Sequence, residues 1–182
     1  MRYYRVFNAD DVEGVQFPEV EKPEFNDNFK DIEIAEKILK ICQTKTCEIE
    51  HIEQGQAYYK PISHQIVMPE KKQFHNPAEY YSTAFHEITH STARPLERDM
   101  SGHFGDHLYS KEELIAEMGA SYLCAFAGIS PKTVENQTAY IQSWLKVLKN
   151  DPKFVIQAAS KAQKAVNFLL EGSEFLAEKE VA

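Results

Sequence analysis

Two histidines stand four residues apart with a glutamate after the first, in His86-Glu87-Ile88-Thr89-His90, the pattern His-Glu-x-x-His. On an α-helix, residues i and i+4 share a face. The two imidazoles can then bind one Zn²⁺, and Glu87 stands beside the ion, placed to act as a base on its bound water. A chain of 182 residues with seven histidines produces this match by accident only about 0.03 times. The competing explanation is two exposed helix histidines and an ordinary surface glutamate.

A catalytic zinc has three protein ligands and one open position, so a third ligand must come from elsewhere. The metzincin arrangement would place a histidine six residues after His90, where the sequence has Leu96, and is excluded. Two sources remain. Glu113 and Glu117 stand one helical turn apart in Glu113-Leu114-Ile115-Ala116-Glu117, beginning 23 residues after His90. In gluzincins the first such carboxylate binds zinc, and the second hydrogen-bonds a ligand histidine. The other source is His103 or His107 in a glycine-containing loop, the kind of downstream position from which SprT-type proteases draw their third histidine. Each carboxylate also has a plainer explanation. Ser110-x-x-Glu113 is a capping box, which would make Glu113 a helix-start residue, and Glu117 could be an ordinary helix carboxylate. Ala116, Gly119 and Ala120 lie beside them, small enough to let this helix press against the histidine helix.

The elements that must position these groups follow from pattern. Asn76-Pro77-Ala78-Glu79 is a helix start, with Asn as cap, Pro at the first position and Glu at the third; the helix should run to about Ala93. Ser110 should open the next helix, ending near Gly128 as the C′ residue. Ser130-Pro131 and Asp151-Pro152 open two more. Upstream, residues 29–42 have amphipathic helical spacing. Arg2–Phe7 and Cys47–Ile52 read as strands, and 57–61 with 64–69 as a hairpin whose strands both end in proline. The fold class is α+β: a small antiparallel or mixed sheet in a strand-rich part, about 1–70, then a helical part, about 76–171, in one domain spanning 1–182. The strands could offer an edge to an extended peptide, with Tyr58, Tyr59 and Ile66 along the cleft, or could simply pack as sheet.

Composition narrows the class of partner. Lys and Arg number 20 against 28 Asp and Glu, a net charge of −8, and so acidic a surface is poorly suited to gripping a phosphate backbone. No direct nucleic-acid binding is expected of this chain alone. The longest uncharged run, Met118–Pro131, is 14 residues, short of the roughly 20 that span a bilayer, so no membrane partner is expected. The N-terminus leads into no apolar run of a secretory leader. Three cysteines without paired spacing suit a reducing compartment, and the expected location is the cytoplasm. Cys124 falls in an apolar stretch and reads as core.

Tyr80-Tyr81-Ser82-Thr83-Ala84-Phe85-His86-Glu87-Ile88-Thr89-His90-Ser91-Thr92 resembles the zincin-like metallopeptidase domain of ArdC-type antirestriction proteins, members of the polyvalent proteins of plasmids, phages and conjugative elements. Arg94-Pro95-Leu96-Glu97-Arg98, Phe104-Gly105 and Tyr109–Ala120 look like the same family, as do Tyr4–Asn8, Asn136–Leu145 and Ala158–Gln163. The resemblance covers most of the chain. It implies a zincin-like fold, one zinc ion per chain and a protein or peptide substrate. It favours a carboxylate as third ligand, because Glu-Glu-Leu-x-Ala-Glu is the family's own signature, and His103 and His107 match no family histidine. The implied site is therefore His86, His90 and Glu113 on the metal, Glu87 as catalytic base, and Glu117 in support or as the alternative ligand. Tyr109, His103 and His107 are candidates for oxyanion or substrate contacts. Family members often carry an N-terminal single-stranded-DNA-binding domain, to which nothing here corresponds. The chain is thus expected to be a fragment or stand-alone version of a longer protein, with that domain as a partner there.

Two functions follow from the resemblance. One is a zinc peptidase serving a mobile genetic element in antirestriction. The alternative is a non-catalytic, metal-stabilised module that blocks a host DNA-binding protein.

Overall fold

A computed structural model of the chain describes residues 12–14, 25–101, 107–129 and 153–177, without the side chains of 107–110 and 177. The anticipated strand at Arg2–Phe7, the helix opened by Ser130-Pro131 and residue His103 lie outside the described residues.

The first described helix, α1 (Glu33–Lys45), buries Ala35, Ile38, Leu39 and Cys42, the i, i+3, i+4, i+7 stripe of an amphipathic helix. Three short strands follow: β1 (Ile49–Ile52), β2 (Tyr58–Lys60) and β3 (Gln65–Pro69). The sheet order is β1-β3-β2. β2 and β3 form the expected antiparallel hairpin, with Tyr59 opposite Ile66. β1 lies parallel to β3, Ile49 opposite Ile66, so the sheet is mixed. β3 is its central strand, and Pro69 is tolerated there because it stands at the strand's end, opposite Ile52.

Helix α2 (Pro77–Ser91) starts where the sequence directs: the Asn76 side chain accepts a hydrogen bond from the Glu79 amide at 3.0 Å, a cap that contributes about 1 kcal/mol. The next helix, α3 (His107–Phe126), starts three residues before Ser110. This corrects the capping-box expectation. Ser110 and Glu113 lie within the helix, so Glu113 is not held there as a cap, and His107 and Tyr109 belong to the first helical turns and not to the preceding loop. The end of α3 is as expected. Gly128 takes φ +69°, and the Ile129 amide bonds back to the Cys124 carbonyl at 2.9 Å, the Schellman closure that favours glycine. Helix α4 (Lys153–Leu170) and a short helix, α5 (Glu174–Ala177), complete the described chain.

The main core joins Ile38 and Leu39 of α1, Ile66 and Met68 of β3, Tyr81, Phe85 and Ile88 of α2, Leu123 of α3 and Leu169 of α4. Cys124 belongs to it, as read from sequence. So do Tyr59 and Ile66, which decides for sheet packing over the cleft alternative: their side chains face inward and hold the sheet on the helices. A smaller cluster of Leu114, Ile115, Phe154, Ala158 and Ala162 joins the front of α3 to α4. Helix α3 is thereby wedged between α2 and α4. No described helix is long and apolar enough to cross a membrane.

Candidate metal centre

The α2–α3 contact is made close by small residues. Ala116 and Ala120 are buried, and a β-carbon added to Gly119 would stand 2.5 Å from Cγ2 of Thr89. The second half of α2 is consequently enclosed on nearly every side, with Glu87, Thr89, His90 and Ser91 all buried. Within this contact His86 and His90 face the carboxylates of α3.

The distances define a site. Nε2 of His86 and Nε2 of His90 are 3.0 Å apart. Oε2 of Glu113 is 3.6 Å from Nε2 of His86, and Oε1 of Glu113 is 3.4 Å from Nε2 of His90. Ligand atoms bound to a tetrahedral zinc at their usual bond lengths stand about 3.3 Å apart. These separations, with Glu113 offering one oxygen to each ring, bracket that spacing. Among the described residues, His86, His90 and Glu113 form the one cluster of metal-ligating side chains with this convergence.

The remaining ring nitrogens are also engaged. Oε1 of Glu117 lies 3.4 Å from Nδ1 of His86, and Oε1 of Glu112 lies 3.3 Å from Nδ1 of His90. One turn forward along α2, from His86 to His90, corresponds to one turn back along α3, from Glu117 to Glu113, so the two helices run antiparallel at the site. Glu117 thus addresses the ring nitrogen that does not face Glu113. Arg98 completes the group. Its Nε donates to Oε2 of Glu112 at 3.0 Å, and its Nη2 donates to Oε1 of Glu112 at 2.7 Å.

Charge tells the same story. Glu87, Glu112, Glu113 and Glu117 surround two imidazoles, and Arg98 is engaged with Glu112. Burial opposes a charge on His86, but Glu113, Glu117 and Glu87 outweigh it and raise its pKa to about 10. Burial likewise opposes a charge on His90, yet Glu112, Glu113 and Glu87 raise it to about 9. Burial would push Glu113 up, but the hydrogen bonds of His86 and His90 hold it far below the usual carboxylate range. Glu112 is lowered against its burial by His90 and Arg98. A pocket that makes two histidines this basic is short of positive charge, which a divalent cation would supply. Nitrogen and carboxylate donors in this number suit zinc.

The structure therefore brings together His86, Glu87, His90, Glu113 and Glu117 as the sequence directs. His103 is outside the described residues, and the side chains of His107 and Tyr109 are outside the description, although both residues are on α3. Glu112 and Arg98 escaped the sequence reading. Glu112 could have been noticed as the neighbour of Glu113 in a buried segment, since consecutive helix carboxylates point about 100° apart and can address two nitrogens of one ring. Arg98 carries no such signal, because its partner is 14 residues away in sequence.

The chain is similar to several known proteins. The family model described as zincin-like metallopeptidase matches residues 35–161. A DNA primase TraC from Escherichia coli is 37% identical over 167 residues, which cover 91% of this chain and 15% of the primase. Uncharacterized protein y4eC from Sinorhizobium fredii is 32% identical over 170 residues, covering 92% of this chain and 53% of that protein. The chain thus spans about half the length of the one relative and far less of the other. Among solved structures, the Mn(II)-bound antirestriction ArdC protein from plasmid R388 matches with a TM-score of 0.62 and 36% identity, over 92% of this chain and 61% of that one. The metal-free form of the same protein matches with a TM-score of 0.61 and 33% identity, over 91% and 58%. The fold class, the resemblance and the metal-binding character read from the sequence are all upheld, and the chain belongs to the zincin-like metallopeptidase family.

Proposed function

We propose that this chain is the zinc-dependent peptidase domain of an ArdC-type antirestriction protein, with His86, His90 and Glu113 as metal ligands and Glu87 as catalytic base. The observation that carries the reading is the convergence of three ligand side chains from two helices, the two Nε2 atoms 3.0 Å apart and the two Glu113 oxygens 3.4 and 3.6 Å from them. A zinc ion held there would polarise the scissile carbonyl and lower the pKa of its water toward about 7.

The chain's own residues supply the rest. Glu87 follows His86 directly and is close enough to raise the basicity of both histidines. It takes a proton from the attacking water as the water oxygen bonds to the carbonyl carbon. It then gives that proton to the departing amine as the carbon–nitrogen bond breaks, leaving a carboxylate and an amine. With zinc bound, Glu117 would accept a hydrogen bond from Nδ1–H of His86, leaving the Nε2 lone pair of that ring for the metal. The similarity to an antirestriction protein of a plasmid supports a role for the reaction in a mobile genetic element, with a host protein as substrate.

A second reading has one observation in its favour. Glu87, His90 and Glu113 are each 8% exposed or less, an enclosure that would also suit a site ionised only to bind α2 to α3. The chain would then be a non-catalytic, metal-stabilised module that blocks a host DNA-binding protein by contact. Glu87→Gln separates the two. The peptidase reading expects zinc to remain bound while peptide hydrolysis falls by about 10²-fold or more. Antirestriction activity that survives this change intact would favour the binding module.

A further inference from the structure

Arg98 is a buried cation that the His-Glu-x-x-His pattern does not call for, its side chain only 6% exposed. Its guanidinium makes two bonds to Glu112 and two to the end of α2. Nη1 donates to Oγ1 of Thr92 at 2.7 Å, and Nη2 donates to the Thr89 carbonyl at 2.8 Å. Thr89 precedes His90 and Thr92 follows it by two residues. The fork therefore fastens a carboxylate of α3 to the very turn of α2 that carries His90. A residue that merely capped α2 would spend its bonds on that helix alone.

The loop that delivers Arg98 is closed tightly. Leu96 bonds back to Thr92 at 3.1 Å, Glu97 to Arg94 at 3.3 Å and Arg98 to Ala93 at 2.8 Å, all through backbone amides. Glu97 takes φ +52°, a left-handed conformation that side-chain-bearing residues rarely adopt. The return of the chain to place Arg98 is thus imposed against local preference.

We propose that Arg98 is a positioning residue for the metal centre. By gripping Glu112 at both oxygens it fixes the acceptor for Nδ1–H of His90, and so orients that ring with its Nε2 toward the place a zinc ion would take between His86 and Glu113. Lysine, a point charge, cannot reproduce the two-point grip together with the two α2 bonds. The inference rests on the reading of His86, His90 and Glu113 as zinc ligands.

The test uses the full chain, labelled with ¹⁵N-histidine and loaded with zinc. In wild type, long-range ¹H–¹⁵N spectra should show a downfield, slowly exchanging Nδ1–H for His90. In Arg98→Lys, circular dichroism having confirmed the fold, that resonance should move upfield or exchange away, while the Nδ1–H of His86 stays in place. The zinc dissociation constant, measured by chelator competition, should rise about 10-fold or more. Because Arg98 acts through Glu112, adding Arg98→Lys to Glu112→Gln should weaken zinc binding no further than about twofold. An unmoved His90 resonance with wild-type zinc affinity, or an undiminished loss in the Glu112→Gln background, would overturn the proposal. Should Arg98→Lys fail to fold, Thr92→Val removes one anchor of the fork. A shifted His90 resonance with a several-fold weaker affinity then supports the proposal, and no change in either overturns it. Wild type that binds no zinc would overturn the metal reading itself, an outcome distinct from wild type and variant binding it equally.

Discussion

Gly119 of α3 sits against Thr89 of α2 so closely that a β-carbon would stand 2.5 Å from Cγ2 and 3.1 Å from Cβ of that threonine. Thr89 is itself fixed, its hydroxyl bonded to the Phe85 carbonyl at 2.7 Å, so it has little room to yield. The proposed ligands come from both helices, and this contact sets their separation.

Gly119→Ala is accordingly expected to behave unlike a usual helix substitution. In an open helix the change stabilises by about 1 kcal/mol. Here overpacking should outweigh that gain and destabilise by about 1–3 kcal/mol, and zinc affinity should fall as α3 is pushed from α2. Urea denaturation and chelator competition on one preparation would read both effects. A stabilised variant with unchanged affinity would show that the close approach is unimportant.

The two carboxylates one turn apart should separate cleanly. Glu117→Gln replaces the charged acceptor for Nδ1 of His86 with a neutral, weaker amide oxygen and leaves His86, His90 and Glu113 in place. Its zinc affinity should drop about 10–100-fold while one zinc per chain is still bound at saturation. Stoichiometry lost in Glu117→Gln would mark Glu117 as the ligand.

Much of this was legible in the sequence for identifiable reasons. The histidine motif, the Asn76 cap and the Gly128 terminus each rest on local rules, and each is found in place. The short hairpin followed from its alternation. The start of α3 did not follow, because Ser110 offers a capping signal that the helix overrides by beginning at His107. Tyr59 and Ile66 alternate as either cleft or core residues would, and only the packing of β2 and β3 on α2 decides for core. Glu112 and Arg98 were hidden because their roles depend on the long-range pairing of a loop with a helix, which no local spacing encodes.

Tyr81 lies outside the metal site and tests the packing of α1 on α2. Its hydroxyl donates to Oε1 of Glu36 at 2.7 Å and lies 3.1 Å from Oδ1 of Asp31, where Lys71 pairs with both carboxylates. Tyr81→Phe should cost about 1.5–3 kcal/mol near neutral pH, as for hydrogen bonds to charged groups. Burial, reinforced by Glu36 and Asp31, raises the Tyr81 pKa well above its ordinary value. A group with a raised folded pKa contributes its full stability below the unfolded value, about 10, and loses it as pH rises beyond. The penalty of Tyr81→Phe should therefore shrink above about pH 10. Denaturation curves of both proteins at pH 8 and pH 11 would check this, and a penalty that grows with pH would contradict it.

The most direct test of the central claim is the metal content of protein purified without a metal-affinity step, for wild type and Glu113→Ala. The account predicts close to one zinc per wild-type chain and a much reduced content in the variant. Full retention in Glu113→Ala would move the third ligand to another residue. Wild type that takes up no metal, even from added zinc, would contradict the account and leave a zincin-shaped domain without its chemistry.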